Sequence, residues 1–445
     1  MPTSTPARLT PTESVRLVTG VLLPLVAQGA IVRRPRVTAW AERRQVDRSG
    51  GSLLASLRGR YDGAPLELRL GPRSMVVATA PEHVETLLAG SPDPFTPASA
   101  EKRAALAHFQ PDGVLISSTE ERAERRPFNE AALDMAEPVH SDGAFLSRAV
   151  DREVTELLED ARVGGGLDWE RFAGAFWRAV RTLTLGERAR HDERVTELLD
   201  ALRRDANWAF LRPRRPWLRT ELDALIEDYV SDAEDGTLAA RARRTGSVIE
   251  AAGQIPHWLF AFDAAGAAVY RTLAVLASRP DALARVRGEL EAADGDPRAV
   301  LGYSRGCVLE SVRLWPTTLA ILRESTRETT WGGRTLPAGT GFVVVSSFFH
   351  RDAERLDVAD DFAPEAWLDG RADADWGLVP FSAGPVSCPG RNVVLLVASR
   401  LLAGVATGAD LSFERARYLA DAPLPKTVDH FRLRFGVRTG RHVAR

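Results

Sequence analysis

Residues 381–390, FSAGPVSCPG, carry Cys388, one of only two cysteines in 445 residues. A thiolate is a nucleophile and a soft metal ligand, and the positive end of a helix favours its formation. The sequence that follows, RNVVLLVASRLLAGVA over 391–406, is apolar with a helical rhythm. Pro389 therefore reads as a first-turn proline and Cys388 as a residue at a helix N-terminus. Proline has no N–H, so donors to the sulfur must lie at Gly390 and beyond. Gly384 and Gly390 suit a tight backbone that lets something flat and bulky come close, with Phe381 packing beside it. The competing reading is a buried structural cysteine, the usual fate of an isolated thiol. Spacing argues against it. With two cysteines, 17 phenylalanines and 35 glycines in the chain, F-x-x-G-x-x-x-C-x-G arises by chance roughly 0.0005 times.

This decapeptide resembles the haem-binding loop of the cytochrome P450 family, and the resemblance covers essentially residues 50–445. It implies haem b as cofactor, Cys388 as the axial ligand of the iron, and a loop shaped by Phe381, Gly384 and Gly390. The longest periodic segment, residues 248–278, reads as a helix about 46 Å long at ~1.5 Å per residue, kinked at Pro256 unless that proline marks its start. In the family the central helix crosses the oxygen-binding side of the haem with a small residue, an acid and usually a threonine in line. The matching text here is Ala261-Phe262-Asp263-Ala264. The resemblance thus makes Asp263 and Ala264 the catalytic positions, and departs from the pattern at Ala264, which can neither donate nor accept a hydrogen bond. Asp263 is either the acid of a proton route or a groove-lining acid that relays nothing. His257, two turns before Ala264 on about the same face, is a candidate substrate contact with Phe260 and Ala261.

Glu310 and Arg313 stand three apart on one helix face, a geometry for a charge-assisted pair. Followed by Leu314-Trp315-Pro316 and then by Arg323, they resemble the family's scaffold pair and its propionate-binding arginine. Residues 362–367, FAPEAW, resemble the meander motif, with Ala366 where an arginine often completes an ionic triad. The triad is expected to be incomplete, or completed by Arg371. Val386 replaces a commonly basic residue. In EERAERR, residues 120–126, Arg125 matches the family's second propionate arginine, with Arg126 as the alternative register and Glu121 in place of the usual His or Trp.

The elements that must position these residues are mostly helical. Helix-like text dominates 81–315, a hairpin with a turn at Gly71-Pro72 precedes it, and a strand-rich patch follows over 320–349. The expected fold is mainly α with small β-sheets, with a long central helix over the haem and the cysteine loop before a C-terminal helix. Residues 1–50 form an N-terminal helical segment and 51–445 the haem-thiolate domain. A composition of 44% hydrophobic and 27% charged residues is that of a soluble globular protein. A net charge of −2 gives no pull toward nucleic acid or anionic membranes. Two cysteines fit a reducing cytoplasm, with Cys307 read as core. The apolar stretch 18–32 contains Pro24 and Gln28 and is too short to span a bilayer; it reads as a helix that is buried or lies on the surface, in preference to a signal peptide. In 207–219, Trp208, Phe210 and Trp217 read as an apolar substrate wall, and Arg212, Arg214, Arg215 and Arg219 either meet an acidic substrate or face solvent.

The function expected from the resemblance is a haem-thiolate monooxygenase acting on a small, natural-product-like organic molecule. No flavin or iron–sulfur region is attached, so electrons are expected from a separate ferredoxin and ferredoxin reductase. Two alternatives remain open. One is a peroxide-using or non-hydroxylating haem-thiolate enzyme, prompted by Ala264, and the other a non-catalytic haem-binding sensor.

Overall fold

Ser247 starts the central helix. Its hydroxyl accepts the Glu250 N–H at 3.2 Å while the Glu250 carboxylate accepts the Ser247 N–H at 2.9 Å, a reciprocal cap. The helix then runs unbroken over Val248–Leu276, 29 residues and about 43 Å at ~1.5 Å per residue. Pro256 lies inside it and does not mark its start. The computed structural model describes residues 4–439 apart from 71, 72 and 416.

A second apolar helix, Arg391–Gly408, packs on the first, and Gly143–Val163, Trp169–Leu185 and Gly302–Leu314 surround them. Both apolar helices are long enough to cross a bilayer, yet 78% and 72% of their apolar windows are buried inside the protein, as core helices are. Cys307 sits in this core with no exposed surface, and burial pushes its thiol pKa upward.

The two strand-rich patches, some 250 residues apart in sequence, join in one six-stranded sheet. Leu66–Leu70 pairs antiparallel with Arg73–Val77, which runs parallel to Gly341–Val345 with Met75 opposite Gly341 and Val77 opposite Val343. Gly341–Val345 pairs antiparallel in turn with Ala320–Ser325. The expected turn at Gly71-Pro72 lies outside the described residues. Burial alternates along Ala320–Ser325, so Ile321, Arg323 and Ser325 point inward.

A second apolar cluster under this sheet joins Leu68, Val76 and Phe342 to Leu17, Val21, Leu54 and Leu57 of the N-terminal helices. Residue 50 falls inside the helix Val46–Arg60. The apolar stretch 18–32 begins within continuous helix from Pro11 to Ala27. It lies on the surface, with Val21 buried and Leu23 and Val26 more than half exposed.

Candidate functional site

The cysteine loop is held by its own backbone. The Cys388 N–H donates to the Phe381 carbonyl at 3.0 Å and the Ser387 N–H to the Gly384 carbonyl at 3.0 Å. Gly384 adopts φ +68°, and a Cβ there would stand 2.3 Å from the Leu88 carbonyl oxygen, so only glycine fits. Gly390 has no such constraint: its φ is −88°, and a Cβ would meet Cys388 Sγ at an ordinary 4.0 Å. Gly390 caps the helix, which begins at Arg391. Pro389 thus precedes the cap and is not a first-turn residue. Cys388 is two positions further from the positive helix end than the sequence implies, which weakens the dipole's pull on its sulfur. Burial is the largest influence on the thiol and raises its pKa. The Gly390 N–H, which hydrogen-bonds the sulfur, and the charges of Arg126 and Arg391 act in the opposite direction without overcoming it. A cation bound at the sulfur is what would hold it as thiolate.

Besides Arg126 and Arg391, Arg323 reaches this loop, and Arg122 and Lys102 lie within electrostatic reach of Arg323. Arg323 is 3% exposed; it donates to Ser91 Oγ at 2.8 Å, to the Leu322 carbonyl at 3.0 Å and to Ser382 Oγ in the loop at 3.3 Å. Arg122 is buried, with one bond to the Val114 carbonyl at 2.8 Å. Half-buried Lys102 reaches the Leu322 carbonyl at 3.2 Å. Burial pushes both arginines down to about 10, and burial with the charges of Arg323 and Arg122 pushes Lys102 well below its ordinary value. Among the described residues none of the three has a carboxylate at ion-pair distance. Buried charge without a counter-charge costs several kcal/mol, so the site calls for an anion.

Sequence reasoning singled out Arg323 but missed Lys102 and Arg122. Arg122 lies four residues before Arg126 and shares its face, a signal available in the spacing; Lys102 gave none. Arg125 is directed elsewhere, to Ser117 Oγ at 3.0 Å, Asp112 at 3.3 Å and Glu121 at 3.4 Å. Arg126 instead donates to the Ser387 carbonyl beside the cysteine at 2.7 Å.

These residues fit a haem. Cys388 offers a ligand for iron, Gly384 leaves the close backbone passage, and the three cations match two propionates. Among the described residues no group of three or more His, Cys, Asp or Glu side chains gathers to hold a bare metal ion, so a metal at Cys388 must bring most of its own ligands.

The central helix turns one particular face inward. Gly253, His257, Phe260, Ala261, Asp263 and Ala264 are half-buried, whereas Trp258, Leu259 and Phe262 between them are buried. That stripe keeps helical spacing and stays partly open where its neighbours are closed. Asn129 fixes its position against the arginine-bearing helix Thr119–Ala132, accepting from Trp258 Nε1 at 2.8 Å and donating to Gln254 Oε1 at 3.1 Å. His257 Nδ1 lies 2.6 Å from Gln110 Oε1, and burial lowers its pKa to about 4. Phe260 packs edge-on against Phe109, with ring centres 5.3 Å apart. Asp263 is paired with Arg203 at 2.5 Å, and Arg203 lies over the Phe260 ring. Ala264 brings no polar side-chain atom to the stripe.

Glu310 and Arg313 form the expected pair, at 2.8 and 2.6 Å, both essentially unexposed. Arg371 does not complete a triad, since it pairs with Asp369 at the surface. Trp367 Nε1 and the Ala363 N–H donate to Glu310 at 2.9 and 2.8 Å instead, and Arg313 spends its other donors on the carbonyls of His350, Val358, Ala359 and Asp361. Trp208, Phe210 and Trp217 are 46, 74 and 65% exposed, so they face outward and are no substrate wall. Nearby, Arg212 and Arg215 pair with Asp205, and Arg219 with Asp223.

The sequence model of the family described as Cytochrome P450 matches residues 261–402, a span holding Asp263, Glu310, Arg313, Arg323 and Cys388. The chain is 33% identical over 141 residues to cyclooctat-9-en-7-ol 5-monooxygenase of Streptomyces melanosporofaciens, covering 30% of this chain and 31% of that protein. It is 31% identical over 179 residues to sugiol synthase of Salvia miltiorrhiza, covering 38% and 35%. A third relative, ferruginol synthase of Salvia pomifera, is 28% identical over 151 residues, covering 32% and 33%. The matches span about a third of the length of these curated relatives.

Proposed function

Because the chain belongs to the cytochrome P450 family, we propose that it is a haem-thiolate monooxygenase of a small organic molecule, working in the cytoplasm with electrons from a separate ferredoxin and ferredoxin reductase. The observation that carries this reading is the set of three mutually interacting cations, Arg323, Arg122 and Lys102, of which Arg323 touches the Cys388 loop and none has a carboxylate at ion-pair distance among the described residues. When bound, haem b supplies oxygen activation, helped by electron release from its thiolate ligand. Cys388 holds the iron. Arg323, Arg122 and Lys102 take the propionates, Arg126 fixes the loop at Ser387, and Arg125 secures the segment around Asp112 and Ser117. Glu310 and Arg313 keep this side of the fold rigid. The half-open face of the central helix takes the substrate, and Phe260 with Phe109 gives that groove an apolar wall suited to a hydrocarbon skeleton. The relatives' names, two synthases and a monooxygenase of an alkenol, support a small-molecule substrate. Two free cysteines fit a reducing compartment.

A second reading is favoured by two observations on the central helix. Ala264 has no hydroxyl to pass a proton, and the Asp263 carboxylate is engaged by Arg203. Under this reading the oxidant is peroxide, or a group on the substrate supplies the missing proton donor. Product formed per NADPH consumed, with a ferredoxin system and separately with peroxide alone, distinguishes the two. Oxygen-dependent turnover with a gain in coupling for Ala264→Thr supports the first; peroxide-only turnover supports the second. No turnover under either condition leaves the non-catalytic haem sensor.

A further inference from the structure

We propose that His257 selects the substrate: its Nε2 accepts a hydrogen bond from a hydroxyl or amine N–H, so the groove prefers alcohols or amines to ethers and ketones of the same shape. The inference rests on the haem-thiolate reading above and adds the substrate's polar group. With Gln110 Oε1 turned toward the ring, as the structure has it, that carboxamide oxygen accepts and His257 Nδ1, 2.6 Å away, carries the hydrogen; Gln110 Nε2 has no hydrogen-bond partner among the described residues. Among the described residues no carboxylate faces the ring at ion-pair distance, and burial keeps it neutral. A neutral imidazole carries one proton, which leaves Nε2 as a bare acceptor. Among the described residues no group bonds Nε2, and the ring is half-buried on the same stripe as Ala264.

Gln110 is a fixed partner. It has no exposed surface, its N–H donates to the Leu106 carbonyl at 2.8 Å, and its own carbonyl accepts the Gly113 N–H at 3.1 Å. A Cβ on residue 113 would stand 2.9 Å from Gln110 Oε1, so the glycine leaves the room this amide occupies. The other polar pair on the stripe, Asp263 with Arg203, is spent on itself. His257 and Ala264 are seven residues apart, about 10 Å along the axis at ~1.5 Å per residue. A substrate anchored at His257 and reaching the level of Ala264 therefore spans about 10 Å.

The test titrates the haem-loaded protein with a series of terpenoid and steroid alcohols, each against its own methyl ether and ketone, following the substrate-induced shift of the Soret band. One neutral hydrogen bond corresponds to an affinity ratio of about three- to tenfold, so at least one alcohol should bind better than its ether by that factor. His257→Phe should remove the preference, and Gln110→Leu, which frees the tautomer, should let ketones bind as well as alcohols. Nitrogen-15 spectra of His257 should show Nδ1 protonated. An Nε2–H tautomer, or no alcohol binding better than its ether, overturns the proposal. The ferrous–CO spectrum of the same samples separates the two readings. A wild type without the thiolate band sinks the haem assignment itself, whereas a normal band without alcohol preference sinks only the role of His257.

Discussion

Glu310→Ala is the most demanding test of how the fold holds the cysteine side rigid. Glu310 has no exposed surface and accepts four hydrogen bonds, two from Arg313, one from the Ala363 N–H and one from Trp367 Nε1. Arg313, 2% exposed, passes the restraint on to four carbonyls between His350 and Asp361. Alanine at 310 leaves a buried guanidinium without its counter-charge, which costs about 3–5 kcal/mol. A chain of 445 residues has an unfolding entropy of about 0.9 kcal/mol per kelvin, so Tm should fall by about 3–5 °C. Differential scanning calorimetry and haem content per protein measure the two consequences. Glu310→Gln, which keeps shape and loses charge, should fall between the alanine variant and wild type. Arg371→Ala should change neither quantity, because Arg371 pairs with Asp369 at the surface. A Glu310→Ala protein with full haem and Tm lowered by under about 1 °C would refute the reasoning.

Gly384→Ala places a Cβ 2.3 Å from the Leu88 carbonyl at a left-handed φ; a loss of at least ~1–2 kcal/mol and poor haem retention are expected, and a normally loaded variant would contradict the close passage. Arg323→Ala removes one of three mutually repelling cations, so the apoprotein should lose little stability, while the loaded protein should release haem to apomyoglobin about ten- to a hundredfold faster, the worth of one or more charge-assisted bonds; equal effects on both forms would contradict propionate binding. Buried His350 and His83 use ring lone pairs to accept backbone N–H groups, His350 from Val379 and His83 from Thr79 and Ala80, and burial lowers each to about 4. Between about 4 and the unfolded value near 6.5, the unfolded chain binds protons that the folded one does not. Stability should therefore fall as pH drops through that window, by up to about 1.4 kcal/mol per pH unit for each histidine, and urea midpoints that stay flat from pH 6.5 to 4 would count against both.

What the sequence reveals here travels in local spacing. The cysteine decapeptide, the Glu310–Arg313 step and the 29-residue central helix are each contained in one stretch, so periodicity and residue type expose them. Arginine register is different. Arg122, Arg125 and Arg126 sit in one charged helix; the four-residue spacing groups Arg122 with Arg126, but only packing against Val114 and Ser387 makes theirs the inward face. The Trp367 indole satisfies Glu310 where a pattern reader sees only a missing arginine. Parallel pairing of Arg73–Val77 with Gly341–Val345 joins segments too distant for any local signal. The outward aromatics near Trp208 read as a wall because composition says nothing about direction.

The central claim is that Cys388 ligates a haem iron through its sulfur. Reducing the haem-loaded protein under carbon monoxide and recording the Soret band tests it most directly. Wild type should show the strongly red-shifted band of a thiolate-ligated haem, and Cys388→Ser should lose it. A Cys388→Ser protein that keeps that band, or a haem-loaded wild type that never shows it, would contradict the account.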